Sequence, residues 1–349
     1  MKSNYKRLGD YIRQVDVRNK DLGTSNLLGI KIDKFFMPSV ANIIGTDLRN
    51  YKLIRENQFA CNPMHVGRDE RIPVALYLDK DKAIVSPAYF VFEIVRNELL
   101  SQYLMLWFRR PEFDRECWFY TDASVRGGIT WEDFCEMRIP VPPIEEQEKI
   151  VDSYETIEKR IALKRKINDN LEATLTAFFT EIFSAAESTE QTKLSELMAF
   201  GNGKSRPKTD GTIPVYGGNG VLSYTDQYNI ENAILIGRVG AYCGSVYLEQ
   251  GICWVSDNAI FAKSKVSIDE FFDYFLLKRL NLFSQHVGTG QQLLTQEILN
   301  NIEVAKPNIE QIEIFNTKAK TVFQSISANR DEIIRLQELS DLLLSHLAG

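Results

Sequence analysis

A chain of 349 residues has room for two domains of ordinary size. With 44% apolar and 25% charged residues its composition is that of a soluble globular protein, and no apolar run approaches the roughly 18–20 residues that cross a bilayer. The net charge of −6 argues against nonspecific DNA binding through a basic surface.

Charge and cysteine usage narrow the setting further. Residues 1–143 carry 21 Lys/Arg against 19 Asp/Glu, so the acid excess lies in the remaining segments. A DNA-binding role would therefore need a partner to supply much of the phosphate contact. The opening Met1–Gln14 lacks an apolar signal core, so no export is expected. The five cysteines (Cys61, Cys117, Cys135, Cys243 and Cys253) contain no C-x-x-C pair. That predicts free thiols in a reducing cytoplasm, with neither disulfides nor a zinc site.

In chain order the sequence reads as one plan used twice. Each half opens on a short apolar helix start, Lys6–Ile12 and Lys193–Met198, followed by a mixed segment rich in Gly, aromatics and β-branched residues. The mixed segments end in similar passages, Gly127–Ile150 and Gln291–Phe315. A constant offset of 165 aligns Thr130 with Thr295, Phe134 with Leu299, Ile139 with Val304, Pro142 with Pro307 and Ile144 with Ile309. So long a period predicts a duplicated domain, since solenoid repeats are much shorter.

After each proline a long helix is expected, about Glu145–Phe183 and Glu310–Leu347, because both stretches then lack Gly and Pro. The first places Ile150, Tyr154, Ile157, Ile161, Lys164, Asn168, Leu171, Leu175, Phe178 and Ile182 in an unbroken 4,3 alternation. The second does the same with Ile312, Phe315, Ala319, Val322, Ile326, Asn329, Ile333, Leu336, Ser340, Leu343 and Leu347. This is the seam of a coiled coil, although two amphipathic helices on separate cores would also satisfy the pattern. If the helices pair antiparallel, Lys164 and Asn168 fall close to Asn329, and a globular domain stands at either end of a rod with an approximate two-fold between them. The expected fold is α+β: two mixed α/β domains, 1–143 and 185–306, joined by antiparallel spacer helices, 144–184 and 307–349.

With these words in this order, the chain resembles the specificity subunit of type I restriction–modification systems. IPVPPIEEQEKIV with its heptad helix is similar to that family's central spacer, and PNIEQIEIF with its helix to the second. Gln58–Tyr77 and Ala83–Ile94 resemble one target-recognition domain. Ile213–Tyr224, Ile234–Leu248, Trp254–Ala262 and Gly288–Thr295 resemble another. The resemblance covers nearly the whole chain, although the chain is compact for the family. It implies a non-catalytic reader of double-stranded DNA with a bipartite target, each domain reading one half and the helices setting the gap. It also implies two adenine methyltransferase subunits docked on the chain, with translocating endonuclease subunits joining through them. Those partners would bind S-adenosylmethionine and ATP; no cofactor is expected here.

Asn, Gln and Arg can bond base edges in pairs, and Gly lets a backbone approach closely, so the glycine-bearing loops are the expected DNA-facing elements. In the first domain these considerations select Asn62, His65, Arg68 and Arg126. In the second they select Tyr216, Asn219, Arg238, Ser256, Asn258, Thr289, Gln291 and Gln292. For any one of them a turn or cap is the plain alternative. Lys204, Arg206 and Lys208 read equally as phosphate contacts or a solvated loop.

Enzymatic readings find little support. Gly201–Ser205 ends like a phosphate-binding loop, but Met198 stands where the first glycine belongs. Gly237–Gly240 is not a dinucleotide fingerprint, no G-x-S-x-G elbow occurs, and His65, His286 and His346 are too scattered for a metal. Cys61–His65 lacks the second proline and the aromatic of the Asn-Pro-Pro motif of amino-methyltransferases. A self-contained nuclease or methyltransferase, or a coiled-coil scaffold that never touches DNA, remain the alternatives.

Overall fold

The computed structural model describes residues 5–40, 45–64, 66–121, 127–185, 190–285 and 292–347. It divides into two compact units, one of residues 1–163 with 333–349 and one of residues 164–332. Both long helices therefore contribute to both units.

In the first unit a four-stranded antiparallel sheet runs in the order Ile12–Gln14, Phe90–Ile94, Gln58–Cys61, Val74–Leu76. Its period-2 alternation buries both faces. Phe59, Cys61 and Phe92 face a core that includes the helices Ser101–Arg109 and Pro111–Phe119, while Ala60 and Val91 face Ile54, Tyr77, Ala83 and Val85. Phe59 and Phe92 stack with ring centres 5.0 Å apart, and Phe108 meets Phe59 edge-on at 5.8 Å.

The second unit repeats that order. Its sheet runs Met198–Asn202, Ala259–Ser264, Ile230–Gly237, Val246–Val255, and then adds the hairpin Ile213–Gly217 and Gly220–Thr225 at the edge. The first four strands correspond one for one with those of the first unit, in space and in sequence. Alternation again divides the faces: Ile234, Ile236, Ile260 and Ala262 pack against helices, and Ala233, Leu235, Val255 and Ala259 on the other side. Only Ile213–Gly217 and Val246–Val255 are paired in parallel among the described strands.

A second repeated frame ties each domain to its long helix. Tyr5–Arg7 pairs with Arg138–Pro140, and Gln191–Lys193 with Glu303–Ala305, so that Ile139 faces Lys6 and Val304 faces Thr192. Thr130 caps Trp131–Glu136 by accepting from Asp133 N, and Thr295 caps Gln296–Asn301 by accepting from Ile298 N. Phe134 and Leu299 are both fully buried. The offset of 165 is therefore a structural one. The expected helix starts differ: Lys6–Ile12 is a strand end, a single 3-10 turn at Leu8–Asp10 and a new strand, and Lys193–Met198 holds only the four-residue helix Leu194–Leu197. Segments this short cannot hold a helix without tertiary support, and strand pairing takes the flanks.

The long helices are Ile144–Ala185 and Ile309–His346. Each caps a helix of its own domain with a buried amide. Gln147 accepts from Leu100 N and donates to Glu98 O and Pro142 O, and Asn316 accepts from Phe272 N and donates to Ser267 Oγ and Asp269 O.

Within each unit the two helices run antiparallel. In the second unit Phe178 and Phe179 meet Phe315, while the earlier Asn168 meets the later Asn329. In the first unit Ile157 and Ile161 pack with Ile333, the Ser340 hydroxyl donates to Glu158 at 3.2 Å, and Leu344 and Leu347 share a core with Val151 and Tyr154. A polar layer interrupts the seam. Lys164 Nζ donates to Asn329 Oδ1 at 2.8 Å and pairs with Glu332 at 2.7 Å, and Asn329 Nδ2 donates to Asn168 Oδ1 at 2.8 Å. Such a layer is satisfied in one register only.

Candidate nucleic-acid interface

In the first unit the central strand Gln58–Cys61 ends at Asn62. This side chain is half-buried, and its Oδ1 accepts from Met64 N at 3.1 Å, closing a turn. Arg68 is exposed on the short turn Val66–Asp69 and bonds both oxygens of Asp69, at 2.6 and 2.9 Å. The passage before Thr130 docks on this loop: Gly67 N donates to Gly127 O at 3.0 Å, and Ile129 N to Pro63 O at 3.2 Å. A Cβ at Gly128 would lie 2.9 Å from Pro63 O, so only glycine permits that approach. His65 and Arg126 lie outside the described residues.

The second unit builds the same connection. Its central strand Ile230–Gly237 ends at Arg238; Gly240 N donates to Gln292 O at 3.1 Å, and Leu294 N to Arg238 O at 2.8 Å. Gly127 and Gln292, and Ile129 and Leu294, are each separated by 165. The loops picked out in the two halves thus occupy equivalent backbone positions. A Cβ at Gly237 would lie 2.3 Å from Tyr242 O, which again reserves the site for glycine. Thr289 and Gln291 lie outside the described residues.

Further loops converge on this edge. Arg238 N donates to Asn258 O at 3.1 Å, Ser256 N to Tyr216 O at 2.9 Å, and Ser245 Oγ to Gly218 O at 2.5 Å. Asn219 and Asn258 are exposed, and Gln292 and Arg238 half-buried. Ser256 is 1% exposed, so its hydroxyl faces the fold and not the solvent. Tyr216 donates its hydroxyl to Glu249 at 2.9 Å; burial, with the Glu249 carboxylate beside it, raises its pKa and keeps it protonated. Lys204, Arg206 and Lys208 are exposed, and Lys204 bridges to the backbone of Ser256. Tyr242, 53% exposed in the turn Gly240–Tyr242, belongs to the same edge. Tyr242 is not among the residues that the sequence selects, although the flanking Gly240 and Gly244 mark its loop.

The seam residues Ile157, Ile161, Asn168, Leu175, Ile326, Asn329 and Ile333 are buried, and Lys164, Leu171, Val322 and Leu336 half-buried. Near the domains the burial shifts one residue, from Ile150 to Val151 and from Phe178 to Phe179, because the globular core covers a second flank.

Local geometry bears on the enzymatic readings. Gly203 N and Lys204 N donate to Ala259 O and Val255 O, so these two amides are not free to cradle a phosphate. All five cysteines are free and buried, and burial raises each thiol's pKa, Cys253 to about 12. They are therefore protonated at neutral pH and poor nucleophiles. Among the described residues no cluster of three His, Cys, Asp or Glu is placed to hold a metal ion, and no helix is long and apolar enough to cross a membrane.

Comparison with known proteins places this geometry. Residues 43–173 and 187–334 match the family described as type I restriction modification DNA specificity domain. Over 125 residues, 36% of the chain, the sequence is 25% identical to the Escherichia coli type I restriction enzyme EcoprrI specificity subunit, of which the matched part spans 31%. The fold superposes on the S subunit of a type I restriction-modification system from M. genitalium with a TM-score of 0.62 at 15% identity, covering 98% of this chain and 95% of that one. A second structure, from a study of complex assembly and conformational transition of the type I R-M system, gives 0.54 at 18% identity, covering 99% and 97%. At these identities the structural likeness establishes the fold.

Proposed function

Because the chain belongs to the type I restriction modification DNA specificity family, we propose that it is the DNA-recognition subunit of such a complex and reads a bipartite double-stranded target. Domains 1–143 and 185–306 each read one half, and helices 144–184 and 307–349 set the gap. The observation that carries this reading is the twice-built edge: in each unit the loop after the central strand is bonded to the passage before a capping threonine at positions 165 apart. Two equivalent edges on one chain suit two half-sites. The side chains on them differ, as reading two different half-sequences requires.

In this reading the chain is non-catalytic and cytoplasmic. Two methyltransferase subunits dock on it, and endonuclease–translocase subunits join through them. The net charge of −6 fits that division of labour, since partners then supply much of the phosphate contact. The test is methylome mapping of cells carrying the intact complex, followed by replacement of residues 190–306 with the corresponding domain of another family member. One half-target should change and the other persist. Loss of both half-targets together, or no change in either, would overturn the assignment.

A further inference from the structure

We infer that Arg238 is a dedicated DNA contact of the second unit, its guanidinium held ready for a group that offers two adjacent acceptors, a phosphate or the O6/N7 edge of a guanine. The inference rests on the recognition reading above and assigns this position a role within it.

Arg238 is half-buried, and its Nε is sealed from solvent without a hydrogen-bond partner. Its guanidinium makes no hydrogen bond or ion pair among the described residues. Several other arginines are engaged: Arg7 pairs with Glu136, Arg13 with Glu93, and Arg68 with Asp69, while the buried Arg110 bonds Leu344 O and pairs with Glu112. Arg109, whose Nε is also sealed without a partner, still donates from Nη1 to Tyr154. Sealing one N–H of a cation from water without giving it a partner is unfavourable. Among the described residues no contact offsets that penalty, whereas a ligand rich in acceptors would.

The backbone around Arg238 is fixed on both sides. Its N–H donates to Asn258 O, its carbonyl accepts from Leu294 N and from Cys243 Sγ, and Gly237 before it has no room for a Cβ. With the backbone so held, only the side chain has to be ordered on binding, which favours affinity. Its planar fork matches paired acceptors, a geometry that lysine does not reproduce. The carboxylate of Glu249 on the same sheet is already engaged by Tyr216 and Gly251 N. In the first unit the equivalent carbonyl, the one accepting from Ile129 N, belongs to Pro63. The contact is therefore peculiar to the second domain.

The test uses the full chain in complex with the methyltransferase subunits that co-purify with it, as parent, Arg238→Met and Arg238→Lys. Duplexes carry the mapped target, with each base pair of both half-sites varied in turn. Arg238→Met should melt at or above the parent temperature, because no side-chain bond to a described residue is lost. Its affinity for the target should fall roughly 5- to 150-fold, the range of one good paired contact. If the acceptor is a guanine, the variant stops discriminating at one position of the second domain's half-site, and Arg238→Lys does not restore it. If the acceptor is a phosphate, affinity falls equally on all sequences, the log–log salt slope drops by about one, and Arg238→Lys recovers part of the loss. Parental affinity and discrimination in Arg238→Met would overturn the inference alone, as would a melting temperature that falls in step with binding. A parent complex that protects no DNA would overturn the recognition reading, and this inference with it.

Discussion

Asp273 illustrates how far a single side chain can sit from its preferred environment. It lies in the first turn of the helix Phe271–Arg279, 2% exposed, and neither carboxyl oxygen makes a hydrogen bond of ordinary geometry among the described residues. Burial raises its pKa to about 7; Ser264 opposes the rise and Glu270, itself paired with Lys263, adds to it. The folded state therefore keeps a proton that the unfolded chain releases near pH 4. The stabilisation it contributes is complete below that point and is lost as pH rises to about 7 and beyond. Asp273→Asn, which mimics the protonated acid, should be more stable than the parent at pH 8, by on the order of 4 kcal/mol of unfolding free energy, and nearly equal to it at pH 4. Denaturant titration at the two pH values checks this, and an equal difference at both would exclude the linkage. Nothing in the sequence marks Asp273, since an acid in the first turn of a helix is ordinary there. The same blindness limits reading of the site: residue type selected Asn62, Arg68 and Tyr216, but their bonds to Met64 N, Asp69 and Glu249 depend on how the loops fold back.

At the scale of elements, legibility follows the length of the pattern. Each long helix repeats its apolar period over about ten turns, and the polar interruptions at Lys164, Asn168 and Asn329 are visible as gaps in an otherwise regular series. Strands of three residues, such as Tyr5–Arg7 and Arg138–Pro140, carry no periodicity and exist because they pair across more than a hundred residues. The polar layer offers a test of what those gaps do. Asn329→Leu alone removes the donor to Asn168 and the acceptor of Lys164, and should destabilise by about 1–3 kcal/mol in thermal or denaturant unfolding. Replacing Lys164, Asn168, Asn329 and Glu332 together with leucine should instead raise stability by about 1–4 kcal/mol, because the whole polar set, its ion pair included, gives way to apolar packing. The quadruple variant should lose uniqueness of register. Spin labels at the exposed Asp169 and Ser325 would show one narrow distance in the parent and a broadened set in the variant. A distribution as narrow as the parent's would mean that shape alone fixes the register.

On the scale of the whole molecule, the helix pair is, under the proposed function, a measure of the distance between half-targets. The two compact units meet along the chain at Leu163/Lys164 and again at Glu332/Ile333, one point on each helix. Heptads inserted at both points leave the Ile157–Ile161–Ile333 cluster and the Lys164–Asn168–Asn329 layer intact. Seven residues add ~10 Å of helix, the rise of about three base pairs. Three base pairs also turn the duplex by roughly 100°, whereas a whole heptad leaves the facing of a helix almost unchanged. One inserted heptad should therefore lengthen the preferred gap by up to about three base pairs with weakened methylation, since one domain is then carried out of phase with its groove. Three heptads add about nine base pairs, close to a full turn, and should recover much of the lost efficiency. Methylome mapping reads the gap and both half-sequences in one experiment. A gap that stays at its parental length, with both half-sequences still recognised, would show that the spacing is set by the partner subunits and not by this chain.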